Sequence, residues 1–186
     1  MADREISIEN VLLIEYERLK EEQKTRIGFR DNLIYATLAA MAGVVAATLT
    51  SNGDANLLLL LPPASTVLGW TYLANDEKVS AIGRYIRQRL GPKIDPVAGD
   101  VFGWEIEHRS DDRRRVRKVL QLVADLGTFC IPACSAIVIY WINGPWWWPF
   151  VVVSIVELIV VIGLAIEFVR YADVGVGGDI VTTPDS

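Results

Sequence analysis

The chain has little of what enzymes usually build sites from. It holds one histidine, His108, and two cysteines. A single His without a spaced second ligand reads as a solvated loop residue, although Glu105, Asp111 and Asp112 lie near it, so no metal is expected. Cys130 and Cys134 stand four apart inside an apolar run, which excludes a disulfide framework and makes them inert packing. No Ser/His/Asp grouping and no pair of catalytic carboxylates stands out. Catalytic residues and cofactors are therefore expected to be absent, and the chain is read as no enzyme. The stretch VGVGGD (174–179) follows an apolar run and opens no helix, so it is expected to be flexible tail rather than a phosphate loop. The opening MADREISIEN is polar and acidic, without the basic start and apolar core of a signal peptide. Insertion is expected to rely on the first long apolar run.

The more telling absence is of Lys, Arg and His from four long stretches: 32–50, 57–74, 119–142 and 146–169. Apolar residues make up 52% of the 186 and cluster in these runs. Each run holds roughly 18 to 24 residues, and about 20 suffice to cross ~30 Å of hydrocarbon as a helix. The fold class expected is all-α: a polytopic membrane protein with four transmembrane helices as two antiparallel hairpins plus cytoplasmic helices. Its segments are a cytoplasmic amphipathic helix (1–31), a first hairpin (32–74), a cytoplasmic helical loop (75–118), a second hairpin (119–170) and a flexible tail (171–186). The connections SNGDAN (51–56) and NGP (143–145) carry no Lys or Arg, so all 18 basic residues fall on one side of the membrane. The positive-inside rule makes that side the cytoplasmic face of a cell's inner (plasma) membrane, with both termini on it. Trp146, Trp147 and Trp148 then form an aromatic belt at the outer interface.

Span one presents small residues at Ala36, Ala39, Ala40, Gly43, Ala46 and Ala47, a spacing that lets helix backbones approach closely and points to a homo-oligomer. Pro62 and Pro63 are expected to bend span two near its outer half. In the N-terminal helix, Ile8, Leu12, Leu19 and Ile27 mark an apolar seam extended by Tyr16 and Gln23, and Glu22 and Arg26 form an i,i+4 pair. That seam packs either on its own copies or on the 75–118 loop. Asn75–Lys78 reads as a helix start and Gly91-Pro92 as its stop. Between them Val79, Ile82, Ile86 and Leu90 form one stripe, either laid on anionic lipid or buried against the N-terminal helix. Arg84, Arg87 and Arg89, with Arg113, Arg114 and Arg115 of SDDRRRVRK (110–118), are expected to contact lipid headgroups or a partner. Nucleic acid is not expected.

Three acids interrupt the spans: Asp125, Glu157 and Glu167. Charge at a span's centre costs about 2.5–3.5 kcal/mol on insertion scales, so each is a candidate polar or pore residue. Asp125 and Glu167 lie near the cytoplasmic ends, within reach of Lys118 and Arg170. Glu157 sits about eleven residues, ~16 Å, into span four with no cation at its depth. It is either protonated, bonded to hydroxyls such as Ser65, Thr66 or Ser135, or facing water in an oligomeric pore.

The runs EYERLKEEQKTRIGFRDNLIYATLA (15–39) and VLGWTYLANDEKVSAIGRY (67–85) resemble small, uncharacterised integral membrane proteins of actinobacteria. The architecture also resembles SLATT-type and four-span effectors of bacterial conflict systems. That likeness implies an oligomeric effector that breaches the membrane when a cytoplasmic sensor or signalling partner acts, in antiphage defence. The residues alone leave two other readings open, an anchor that recruits a cytoplasmic partner and a small transporter.

Overall fold

The computed structural model describes residues 8–98 and 114–177, and every regular element among them is helical. Helix α1 spans Ile8–Thr50, and a 3₁₀ segment, Ala55–Leu60, leads into α2, Leu61–Tyr85. A π turn, Ile86–Leu90, joins α2 to α3, Gly91–Ala98. Next come α4, Arg114–Asp125, a second π turn, Leu126–Cys130, and α5, Ile131–Asn143. Last is α6, Trp148–Gly177. Four helices are long and apolar enough to cross a membrane, within Asn10–Thr50, Ala55–Ile94, Val116–Asn143 and Trp148–Ala172. The 43 residues of α1 amount to about 65 Å of continuous helix, twice the hydrocarbon thickness.

The described residues form two compact units, divided within α1 at Asn32/Leu33 and within α2 at Thr71/Tyr72. In the first, α1 docks on the segment that follows α2. Leu12, Tyr16 and Leu19, with Ile82, pack on Ile86, Leu90 and Ile94, of which Ile86 and Leu90 are fully buried. Of the two environments the sequence left open for the 79–90 stripe, burial against α1 is the one adopted. The seam on α1 is narrower than the sequence suggested. Ile8 is 79% exposed and Ile27 39%, because the packed positions follow 12, 16, 19, 23, a 3.5-residue repeat that excludes both. Gln23 continues it by donating from Nε2 to the Val79 carbonyl at 3.3 Å.

In the second unit, Ala55 and Leu59 pack with Ile137 and Tyr140, flanked by Trp141, Phe150 and Leu158. Leu58 and Leu61 pack on Ala136, with Met41 and Val44 of α1 beside them. Gly69 allows a close approach between helices. A Cβ there would lie 2.6 Å from Leu164 Cδ2 and 3.2 Å from Phe129 Cγ. Phe129 in turn stacks on Phe168, centroids 5.9 Å apart. The turn after α1 uses left-handed backbone at Asn52 (φ 58°) and Gly53 (φ 79°), residue types that tolerate it. The turn before α6 is closed by Tyr140, whose hydroxyl donates to the Pro145 carbonyl at 3.0 Å.

Prolines shape this chain differently from the sequence expectation. Pro62 and Pro63 occupy the second and third positions of α2, where a missing N–H costs little. The change from 3₁₀ to α occurs immediately before them. Gly91-Pro92 does not stop the helix. The Gly91 N–H reaches back to the Ile86 carbonyl, widening one turn to π, and α3 continues beyond. Ile131, which precedes Pro132, bonds to the Leu126 carbonyl in the same way. A proline ring in an α-helix clashes with the carbonyl four residues back, and an i→i−5 turn just ahead of it relieves that crowding. Asn75–Lys78 begins no helix either, since α2 runs through it. At the C-terminal end, α6 continues to Gly177 where a flexible tail was expected from 171, because 171–174 contain no helix breaker.

Candidate functional site: an acid on the inner face of span four

Helix α6 buries one face. Ser154, Val161, Leu164 and Phe168 are closed off from the surface, while Val152, Ile155, Ile159 and Ile166 point outward. This is the i, i+3, i+4 stripe of a helix packed on one side only. Glu157 is half-buried on that inner face, three residues after Ser154 and four before Val161. Ser154 ties the face to α5: Trp141 Nε1 donates to Ser154 Oγ at 2.9 Å, and that hydroxyl donates to the Val151 carbonyl.

Oε2 of Glu157 is buried and has no hydrogen-bond partner among the described residues. The hydroxyls offered as one of the three alternatives do not bond this oxygen. Ser65 is buried on the packed face of α2, yet its Oγ is also without a partner. Thr66 is buried beside it, and Ser135 is exposed on α5. Leaving a buried polar group unpaired costs about 1–3 kcal/mol, and more for a charged one.

The other two acids of the spans stand apart from this site. Glu167 accepts from Arg170 Nη1 at 2.9 Å, so it is paired with the cation expected to reach it. Asp125 is half-buried at the last residue of α4. Among the described residues, little covers the small residues of span one. Ala36, Ala39, Gly43 and Ala47 are exposed and Ala40 is half-buried, and a Cβ on Gly43 would meet nothing within 4 Å. Arg84 and Arg89 are exposed and Arg87 is half-buried. Arg113, His108 and residues 178–179 lie outside the described residues, as do the side chains of Arg114 and Arg115. Among the described residues, no group of three or more His, Cys, Asp or Glu could hold a metal ion.

A polar cluster in the first unit was missed by reading the sequence. Asp76 Oδ1 accepts from Arg30 Nη1 at 2.7 Å, and Asn75 Nδ2 donates to the Arg26 carbonyl at 2.6 Å. The Arg30 guanidinium also lies 6.0 Å from the Tyr72 ring centroid. Burial works against the Arg30 charge, but the hydrogen bond and Coulomb attraction of Asp76 outweigh it and raise its pKa above the ordinary value. The signal was present in NDEK, whose Asn and Asp serve a neighbouring helix instead of capping their own. Farther along, the Tyr85 hydroxyl donates to Glu15 Oε1 at 2.7 Å.

Compared with known protein families, with curated proteins and with solved structures, the chain finds no match.

Proposed function

We propose that the chain is a non-enzymatic protein of the bacterial inner membrane, folded as two antiparallel hairpins with both termini cytoplasmic. In this reading it assembles as a homo-oligomer and acts as a cation channel or membrane-disrupting effector in defence. The observation that carries it is Glu157, an acid on the inner face of a span with a buried, unpartnered carboxylate oxygen. No span supplies a basic residue at its depth, which supports a mobile cation or water as the partner of this oxygen. Assembly is supported by how little the spans bury. Only 11% of the most apolar stretch of the first span, and 17% of the fourth, is covered within one chain.

The test is ion or dye leakage from cells expressing the wild type, Glu157→Gln and Glu157→Leu. Gln keeps shape and hydrogen bonding without charge, so reduced flux with normal insertion supports a conducting carboxylate. A silent Gln variant with a disrupted Leu variant would mark a neutral, internally bonded acid. Wild-type protein that never permeabilises membranes, even with a triggering partner present, would sink the channel reading.

A second reading, an anchor that recruits a cytoplasmic partner, draws on Ile8, Val11 and Ile14. These lie off the α1 seam and are 79%, 47% and 56% exposed. Loss of a co-purifying partner in Ile14→Asp, with flux unchanged, would favour it.

A further inference from the structure

We propose that a groove beside the start of span one binds the headgroup of a zwitterionic aminophospholipid, one that carries a phosphodiester and a primary ammonium. The site lies wholly within the first unit. It goes beyond the channel reading and needs only that α1 crosses a membrane.

The groove encloses about 760 Å³, and Arg18, Glu21, Glu22, Arg26 and Phe29 of α1 line it together with Asn75 of α2. Two measures put it at the level of lipid headgroups. Asn75 directly follows the apolar run 57–74, and Phe29 lies three residues, ~4.5 Å, before the run that begins at Asn32. Arg26 Nη1 is 3.5 Å from Asn75 Oδ1, so the guanidinium stands at the same level. The headgroup layer is roughly 5–7 Å deep on each side of the hydrocarbon. Phe29 is 51% exposed, leaving its ring open to an acyl chain or glycerol.

The polar groups are held in place without being used up. Arg26 donates from Nε and Nη2 to Glu22 Oε1 at 2.9 and 2.6 Å, and from Nη1 to Asn75 Oδ1. A guanidinium has five N–H groups, so one remains on each terminal nitrogen, a pair suited to phosphate oxygens. Both bonds from Arg26 fall on Oε1 of Glu22, which leaves Oε2 to accept from a ligand. The neighbouring Glu21 bonds Thr25 Oγ1 through its backbone carbonyl, and its carboxylate bonds none of the described residues.

Charge decides the class of ligand. The two arginines and two glutamates of the lining cancel, so the groove favours a molecule that carries one charge of each sign. Their order along α1 fixes which sign lies where. From the membrane outward come the Phe29 ring, the Arg26 guanidinium and, about one turn on, the Glu21 and Glu22 carboxylates. An aminophospholipid presents acyl chain, phosphate and ammonium in that same order. A primary ammonium has three N–H donors for the two carboxylates, whereas a trimethylated one has none.

The experiment is native mass spectrometry of the purified full-length protein in detergent, titrated with dioleoyl phosphatidylethanolamine, phosphatidylcholine or phosphatidylglycerol. For the first lipid bound, we expect phosphatidylethanolamine to bind roughly ten-fold tighter than either of the others, which lack charge-assisted bonds to the carboxylates. Glu21→Gln should bring phosphatidylethanolamine down toward phosphatidylcholine and leave the other two unchanged. Arg26→Gln should weaken all three alike, roughly ten-fold, because each carries the phosphate. Asn75 Nδ2 holds the Arg26 backbone carbonyl at 2.6 Å, so docking of α1 on α2 survives that change. If Arg26→Gln nevertheless fails to fold, Arg26→Lys keeps the charge without the fork and should weaken all three in the same way. Equal affinities for the three lipids, tightest binding of anionic phosphatidylglycerol, or a Glu21→Gln protein with unchanged preference would overturn the site. Glycerophosphoethanolamine binding as tightly as the lipid would overturn a membrane source for the ligand. Glu21→Cys crosslinking between copies in membranes, with no lipid retained, would give the groove to a second copy instead. None of these readouts involves flux, so conduction can fail while the site stands.

Discussion

Replacing Gly69 by leucine would force a side chain into a close helix–helix contact in the second unit. The first added carbon alone would sit 2.6 Å from Leu164 Cδ2 and 3.2 to 3.3 Å from Phe129. Leu164 Cδ2 is the end of a flexible side chain and can turn aside for a single methyl group. Gly69→Ala also gains about 1 kcal/mol of helix propensity, so it should lie within about 1 kcal/mol of the wild type. Gly69→Leu adds three more carbons against Leu164 and Phe129, both fully buried, and overpacking of that kind costs roughly 1–3 kcal/mol. Leu164→Ala alone should cost roughly 2–5 kcal/mol by leaving a cavity. The double variant Gly69→Leu/Leu164→Ala places new carbons where old ones were removed. Its cost should fall short of the sum of the singles by at least about 1 kcal/mol. Reversible unfolding in mixed micelles, read by tryptophan fluorescence, supplies the four free energies. Additive costs, or a Gly69→Leu protein as stable as the wild type, would refute the contact.

Gly43→Leu is the counterpart, since nothing lies within 4 Å of its Cβ position. Its fold should be unchanged while crosslinked oligomers in membranes disappear, and undiminished crosslinking would make the Ala/Gly stripe ordinary filler. Asp76→Ala strands the half-buried Arg30 guanidinium and should cost roughly 1–3 kcal/mol in unfolding experiments, with Arg30→Met/Asp76→Ala recovering part of it. The Tyr85 hydroxyl, held neutral by its bond to Glu15, should ionise above its ordinary value of 10. The stability it lends is full below pH 10 and fades as pH rises through the raised value, so spectrophotometric titration of Glu15→Gln should bring the Tyr85 pKa back down. Cysteines placed at Asn52 or Asn143 should label from outside intact cells and those at Lys24 or Arg113 should not; outside labelling at Arg113 would overturn the proposed sidedness.

The four long apolar helices were legible because runs without Lys, Arg or His are a one-dimensional signal. Glu157 was legible for the same reason, as an acid in apolar surroundings. Which way it points was not, because α6 is apolar all round and its periodicity does not separate an inner from an outer face. Ser65 was identifiable only as one hydroxyl among several, since its lack of a helical back-bond is a matter of rotamer and packing. The errors share one origin. Asn75-Asp76 and Gly91-Pro92 are local punctuation, and a neighbouring helix in one case and a widened turn in the other absorbed the local preference. The N-terminal seam was read with Ile8 and Ile27 because they are apolar, whereas the 3.5-residue repeat that passes through Tyr16 and Gln23, as read, leaves both outside.

The two π turns also bear on how this chain tolerates changes of length. Each holds one residue more than an α-helical turn would, placed immediately before a proline. Elsewhere in a span, losing a residue rotates all that follows by about 100° and turns inner faces outward. At Pro92 or Pro132 a deletion would remove both the surplus residue and the ring that required it. The helix could then close into uninterrupted α, with the faces before and after it still in phase. These two positions are where insertions and deletions should be found among natural variants of this chain, and where a designer could shorten a span without rebuilding its packing.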